Sequence, residues 1–151
     1  MLKHIWSVLC RKSIIDSETN NISLNDVLER LDVDYQEKNE STDKPFILKI
    51  PIEYEIVSMW QRVVENADIK AEVEVVIYSP SKKLLKTFPQ KLEVAKNFKR
   101  FRSRLRITGI EVNEPGNYIF QINMKEVGKK SFKKVAEIPL EVNIHKIIKA
   151  D

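Results

Sequence analysis

Apolar and polar residues alternate with a period of two along much of this sequence, and this pattern constrains the fold more than any other feature. At residues 69–77, for example, the odd positions are apolar and alternate with Lys70, Glu72 and Glu74. Side chains of a β-strand point to opposite faces in turn, so the pattern predicts strands with one buried face. The predicted strands lie at residues 3–15, 50–56, 69–77, 84–94, 98–110, 118–124 and 138–144.

Turn-forming residues separate most of these segments. The clearest pairs are Asn20-Asn21, Ser79-Pro80, Pro115-Gly116 and Gly128-Lys129. Many short strands with regular turns and little helix are typical of a β-sandwich. We therefore predict one all-β domain over residues 1–151, with about seven to eight antiparallel strands in two sheets. Pro51, Pro89 and Pro139 fall inside predicted strands, and because proline cannot donate to the ladder, they are predicted at edges or bulges.

Residues 22–31 fit two interpretations. Leu24, Val27, Leu28 and Leu31 have helical spacing, which predicts a short helix. Alternatively, residues 16–21 form a hairpin turn and the segment is a bulged strand that pairs with the first strand. The turn residues favour the strand.

Composition excludes several common kinds of enzyme. The chain has only three glycines and no Gly-rich phosphate-binding motif, which argues against nucleotide-dependent chemistry. Its two histidines, His4 and His145, are far apart in sequence, and its single cysteine, Cys10, lies in an apolar run that predicts an inert buried thiol. We predict no enzyme activity, no catalytic residue, no metal and no cofactor. Trp6 is predicted in the core, and Trp60 at its rim.

No run of about 20 apolar residues is present, as a membrane-spanning helix would need. The first residues do not form a convincing signal peptide, because His4, Ser7 and Arg11 interrupt the apolar stretch. We therefore expect a cytoplasmic protein without a membrane partner.

Two stretches resemble known sequences. HIWSVLCRKSIIDSETNNISLNDVLERL, at residues 4–31, resembles the opening of small uncharacterised bacterial β-sandwich proteins, in which a strand and polar turn precede S-L-x-x-V/I-x-x-x-L. EPGNYIFQI, at residues 114–122, resembles the P-G-x-Y-x-F-x-I hairpin of many immunoglobulin-like sandwiches. The resemblance implies an immunoglobulin-like fold and carries no catalytic or binding residues.

The most specific candidate for a binding site is a row of basic residues within residues 98–110. Arginine occupies every second position of one predicted strand face, at Arg100, Arg102, Arg104 and Arg106. Phe101, Leu105 and Ile107 face the other way, so the guanidiniums would form a ridge with a spacing of about 7 Å. Arginine forks match phosphate and carboxylate geometry, so the ridge could bind an anionic partner.

The ridge also has a purely structural interpretation. Glu53 with Glu55, and Glu72 with Glu74, form outward-facing acidic rows that could neutralise the arginines if they lie on a neighbouring strand. The charge is unevenly placed along the chain, with nine acidic and two basic residues at 16–43 against one acidic and ten basic at 82–106. We predict a non-enzymatic module that binds another protein or a second copy of itself. The alternative is binding of nucleic acid or another polyanion through Arg100 to Arg106.

Overall fold

The computed structural model describes residues 1–36, 47–63 and 67–147. These residues contain nine β-strands and no helix. The strands are β1 (Leu2–Ile15), β2 (Ile22–Val27), β3 (Arg30–Gln36), β4 (Leu48–Arg62), β5 (Ile69–Tyr78), β6 (Leu84–Val94), β7 (Arg100–Val112), β8 (Gly116–Glu126) and β9 (Lys133–Ile147). The all-β prediction is confirmed for the part of the chain that the structure describes.

The strands form two sheets. The first sheet has the order β2-β1-β4-β7 and the second has the order β3-β9-β8-β5-β6, curled into a half-barrel. The predicted number of seven or eight strands is too low, because the short strand β3 was not counted. The predicted purely antiparallel pairing is also wrong, since β3 runs parallel to β9. That pairing joins segments more than 100 residues apart, and no local pattern reveals such a contact.

The ambiguous segment at residues 22–31 is divided between the two sheets. Strand β2 pairs antiparallel with β1, with Ile22 opposite Ile15 and Val27 opposite Cys10. Asp26 has a positive φ of 55°, and after Leu28 the chain crosses to the second sheet to begin β3 at Arg30. The strand interpretation is therefore correct for the first half, and the apparent helical spacing comes from two strands placed end to end.

The three prolines that lie inside strands occupy positions where strand pairing does not need their missing N–H donor. Pro51 falls at the irregular register between β4 and β7, beyond the last residue of β4 that pairs with β1. Pro89 lies on β6, an edge strand, and Pro139 precedes the stretch of β9 that pairs with β3. This confirms the prediction from the sequence.

One hydrophobic core lies between the two sheets. Its largest fully buried side chains are Trp60, Tyr118 and Phe120. The predicted positions of the tryptophans are wrong: Trp60 is 0% exposed, whereas Trp6 is half-buried on the opposite face of the sheet, beside Met59. A register shift between His4 and Trp6 causes the difference, because one extra residue in a strand reverses the faces that follow it.

The Pro115-Gly116 turn is held by the hydroxyl of Tyr118. This hydroxyl accepts hydrogen bonds from the backbone N–H groups of Asn113 (3.1 Å) and Glu114 (3.2 Å), and it donates to the carbonyl of Glu114 (2.7 Å). Gly116 has a φ of 132°, and a Cβ there would come within 2.9 Å of the Cβ of Pro80. One buried side chain thus fixes the loop against the Ser79-Pro80 turn.

We expect Tyr118→Phe to destabilise the protein by about 1–3 kcal/mol, because two backbone N–H groups and a carbonyl lose their partner at a buried position. Tyr54→Phe is the matched control, since the Tyr54 hydroxyl makes one bond of 3.3 Å, to the Gly109 carbonyl. Urea unfolding of both variants measures the two losses. Equal losses would contradict the role assigned to Tyr118.

Candidate functional site

The four arginines lie on β7, at one edge of the first sheet. The predicted facing of this strand is confirmed, because Ser103 and Ile107 are buried while Arg100, Arg104 and Arg106 are exposed and Arg102 is half-buried. Strand β7 pairs only with β4, so its other edge has no strand partner among the described residues. The arginines therefore form a basic row along an open sheet edge.

One of the two acidic rows flanks this strand and the other does not. Glu55 lies opposite Arg106 in the register of β4 and β7, and its Oε1 is 3.1 Å from the Arg106 Nε. Glu72 lies in the second sheet, where it pairs with Lys125 at 3.1 Å, and Glu74 accepts a hydrogen bond from Asn123. The predicted neutralisation of the ridge is therefore limited to Arg106 within the described residues.

Glu55 is a nearly buried carboxylate, with 5% of its surface exposed. Burial opposes its ionisation, but hydrogen bonding with Ser13 and with the Arg106 guanidinium has the larger effect, so the pKa of Glu55 lies below its ordinary value. Because the Arg106 side chain is 75% exposed, water screens its charge and the ion pair itself contributes little. Glu55 thus bonds with Arg106 through Oε1, whereas its buried Oε2 has no hydrogen-bond partner among the described residues.

The tip of the β1–β2 hairpin lies against the arginine face. Arg102 donates to the backbone carbonyl of Asn20 (2.6 Å) and to its Oδ1 (3.0 Å), and Arg104 lies 3.3 Å from the Ser13 Oγ. Strand β4 separates β1 from β7, so the hairpin reaches these arginines only by crossing the outer face of β4. This crossing explains why Val57, which faces away from the core, is 0% exposed.

Local hydrogen bonds fix the shape of the hairpin tip. The Asp16 carboxylate accepts from the backbone N–H groups of Glu18 (2.8 Å) and Thr19 (2.9 Å), and Asn20 donates its own N–H to the Asp16 carbonyl. The bonds from Thr19 and Glu18 hold the pKa of Asp16 below its usual value. Asn20 has a φ of 59°, a conformation that asparagine tolerates better than most residues. Its carbonyl is thereby aimed at Arg102.

A groove of about 650 Å³ opens between the hairpin tip and β7. Arginine side chains and apolar residues line it together, among them Arg100, Phe98, Met59 and Ile15. Phe98 is 59% exposed, and Glu93 is the single acidic residue among the lining side chains that the structure describes. A groove of this kind suits a partner that combines negative charge with apolar groups.

Arg62 positions the loop that carries Phe98, and sequence analysis missed this residue. It is 9% exposed and donates to the backbone carbonyls of Phe98 (3.0 Å), Val94 (3.1 Å) and Ala95 (2.7 Å), and also to that of Ala67. Five fixed donors let one guanidinium satisfy several carbonyls at once. Its place at the end of β4 gives no sequence signal, because its partners come from distant parts of the chain.

The histidines and the cysteine lie apart from this groove. His4 lies 2.7 Å from the Ser7 Oγ and packs edge-on against Trp60, and burial lowers its pKa. His145 lies 3.7 Å from Asp32, in the second sheet. Cys10 is fully buried, as predicted. Among residues 1–36, 47–63 and 67–147, no group of three or more His, Cys, Asp or Glu side chains is placed to hold a metal ion.

Comparisons with known proteins assign no function to this site, so its geometry is the basis for interpreting it. No model of a protein family matches the chain, and no curated protein matches it. The described residues contain no helix that is long and apolar enough to span a membrane.

We expect Glu55→Gln to lower the stability at neutral pH by about 1–3 kcal/mol, because a neutral amide replaces the buried ionised carboxylate as the partner of Ser13 and Arg106. A depressed pKa means that Glu55 stabilises the fold above its unfolded-state pKa and that this contribution disappears as the pH falls through its folded-state pKa. The difference between the wild type and the variant should therefore shrink as the pH falls below about 4. Urea unfolding over a pH series measures it, with Glu53→Gln as the exposed control. A difference that stays constant with pH would contradict the role of the ionised carboxylate.

Proposed function

We propose that this protein is a non-enzymatic protein-interaction module that binds an acidic segment of a partner at the groove beside β7. One observation carries the proposal. Arg100, Arg102 and Arg104 contact no carboxylate within the described residues, although they line an open groove. The Arg100 side chain makes no hydrogen bond or ion pair in the part of the chain that is described. No described carboxylate therefore neutralises these three arginines, and although Arg102 also holds the hairpin tip, their positive charge can attract an acidic partner.

The chemistry of the groove suits binding. Guanidinium groups keep their charge at all physiological pH values and can bind a carboxylate through two parallel hydrogen bonds. Such pairs stabilise a complex more when the partner's apolar groups are buried around them, and Phe98 and Ile15 offer that surface. A partner with alternating acidic and apolar residues would satisfy both parts of the groove.

The free edge of β7 adds backbone groups to the site. The Gln90 side chain donates to the carbonyl of Arg104 at 3.4 Å, which supports the view that this carbonyl points away from the β4 ladder. An extended segment that lies along β7 would use such groups for strand addition, while its side chains meet the arginines. Gln90 is half-buried, and an added strand would replace its side chain as the donor to this carbonyl.

We also propose a more specific fold class for the two sheets. We infer an immunoglobulin-like sandwich related to the bacterial proteins that residues 4–31 resemble, and the hydroxyl of Tyr118 bonding to backbone four and five residues upstream supports this. We further propose that the protein acts in the cytoplasm.

A labelled peptide of alternating aspartate and valine should bind the wild type in fluorescence anisotropy. The Arg100→Ala/Arg102→Ala/Arg104→Ala variant should bind it about 10- to 100-fold more weakly, because charged hydrogen bonds are lost. Lys129→Ala/Lys130→Ala/Lys133→Ala is the matched control, since it removes the same charge from exposed positions near the β8–β9 turn. Equal weakening by both variants would indicate an effect of net charge alone and would refute the proposed site.

Binding of single-stranded nucleic acid is the second candidate function. Phe98 favours it, because this ring is exposed beside Arg100, and bases stack on exposed aromatic rings next to cationic side chains. The other aromatic residue of the groove, Phe101, packs partly against the core. The site thus offers one stacking platform rather than a series of them.

If nucleic acid is the partner, a labelled oligothymidine should bind with an affinity that falls as salt rises, with a log–log slope of about −2 for three neutralised phosphates. Phe98→Ala should weaken this binding by about 1–3 kcal/mol, and Phe132→Ala, which truncates an exposed ring outside the groove, should leave it unchanged. Absence of binding at low salt would remove this candidate and leave the protein partner.

A further inference from the structure

The two sheets end in edge strands of opposite charge. Strand β7 carries the arginine row at one edge of the first sheet, and β3 lies at one edge of the second sheet. In β3, Asp32 and Asp34 are exposed, while Leu31 and Val33 pack against the core. Both strands therefore combine an apolar inner face with a charged outer face, and the charges are complementary.

We propose that the acidic segment bound by β7 is strand β3 of a second copy of this chain. This inference rests on the proposed function and names its partner. Strand β3 would add to the free edge of β7, so that the second sheet of one copy continues the first sheet of the next.

An antiparallel alignment of β3 with β7 places opposite charges together on the outer face and apolar residues together on the inner face. With Asp32 opposite Arg104, the period of two places Asp34 opposite Arg102. The inner faces then bring Leu31 opposite Leu105. Arg30 would lie opposite Arg106, whose charge Glu55 already offsets. Opposite charges in facing positions and matching apolar residues are the pairs that stabilise neighbouring strands.

Charged side chains on both edge strands have atoms that make no hydrogen bond or ion pair within the described residues. The Asp34 side chain makes no hydrogen bond or ion pair within the described residues. The contacts of Asp32 with Arg30, Asn143 and His145 all involve its Oδ1, so Oδ2 remains open to a second guanidinium. On β7, the Arg104 side chain contacts only the neutral Ser13 hydroxyl among the described residues, and its backbone carbonyl accepts a hydrogen bond from Gln90, which the added strand would displace. Pairing therefore does not require an existing ion pair between carboxylate and arginine to be broken at Asp34 or Arg104.

The two surfaces differ, so the contact is of the head-to-tail type. Each copy offers one β3 edge and one β7 edge, and such contacts produce rings or open chains rather than simple two-fold dimers. The mass in solution should consequently rise with protein concentration. It should fall toward that of the monomer at high salt, which screens the charges.

Light scattering coupled to size-exclusion chromatography tests the proposal on the full chain. Asp32→Lys/Asp34→Lys and Arg102→Glu/Arg104→Glu should each be monomeric where the wild type associates, and an equimolar mixture of the two variants should associate again. Lys129→Glu/Lys130→Glu, on exposed positions of the β8–β9 turn, is the control with the same charge change as the arginine reversal and should associate like the wild type. Circular dichroism confirms that each variant is folded.

The outcomes separate this inference from the proposed function. Association that survives both charge reversals, or a wild type that stays monomeric at every concentration, overturns pairing of β3 with β7. If the wild type is monomeric but binds the acidic peptide through its arginines, the proposed function stands and its partner is another protein. If it neither associates nor binds the peptide, both proposals fail.

Discussion

Strand β4 is covered on both faces, and the rest of the structure depends on this. Its inner face contributes Tyr54, Ile56 and Trp60 to the core between the sheets, whereas its outer face places Glu55 and Val57 beneath the β1–β2 hairpin. A strand of a small two-sheet protein ordinarily leaves one face to water. Here the outer face carries a carboxylate that needs a donor and a valine that needs apolar cover. Arg106 donates to Oε1 of Glu55 and the hairpin covers Val57, which is why β1 continues beyond its pairing with β4.

The arginines of β7 consequently have two roles. Arg106 and Arg102 hold the structure together, since one bonds with Glu55 and the other with the carbonyl of Asn20 at the hairpin tip. Arg100 and Arg104 are less constrained and present their charge to the groove. The four arginines are evenly spaced in the sequence, but tertiary contacts hold Arg102 and Arg106 in place and leave Arg100 and Arg104 less constrained. Because Arg102 holds the hairpin tip in place, it also shapes the groove in which Arg100 and Arg104 lie.

The position of the groove follows from how the sheets meet. Strands β6 and β7 are consecutive in sequence, yet they end up as edges of different sheets, and the loop between them carries Phe98. Arg62 donates hydrogen bonds to backbone carbonyls of this loop, and the Phe98 ring points into solvent. Positive charge, an exposed ring and an unpaired strand edge therefore occur together. This combination supports a binding role for a part of the protein that its core does not require.

Every strand except β3, the alternation of arginines on β7 and the places where proline is tolerated could be predicted from the sequence alone. These depend on the period of two and on backbone donors, which are local properties. Only the tertiary structure decided that β3 pairs in parallel with β9, that Trp60 rather than Trp6 enters the core, and that Glu55 meets Arg106 while Glu72 and Glu74 lie in the other sheet. Strand order, register shifts and the path of a hairpin arise from contacts between distant residues. A period read along the chain gives the direction of a side chain, but it does not contain the identity of the neighbour across the sheet.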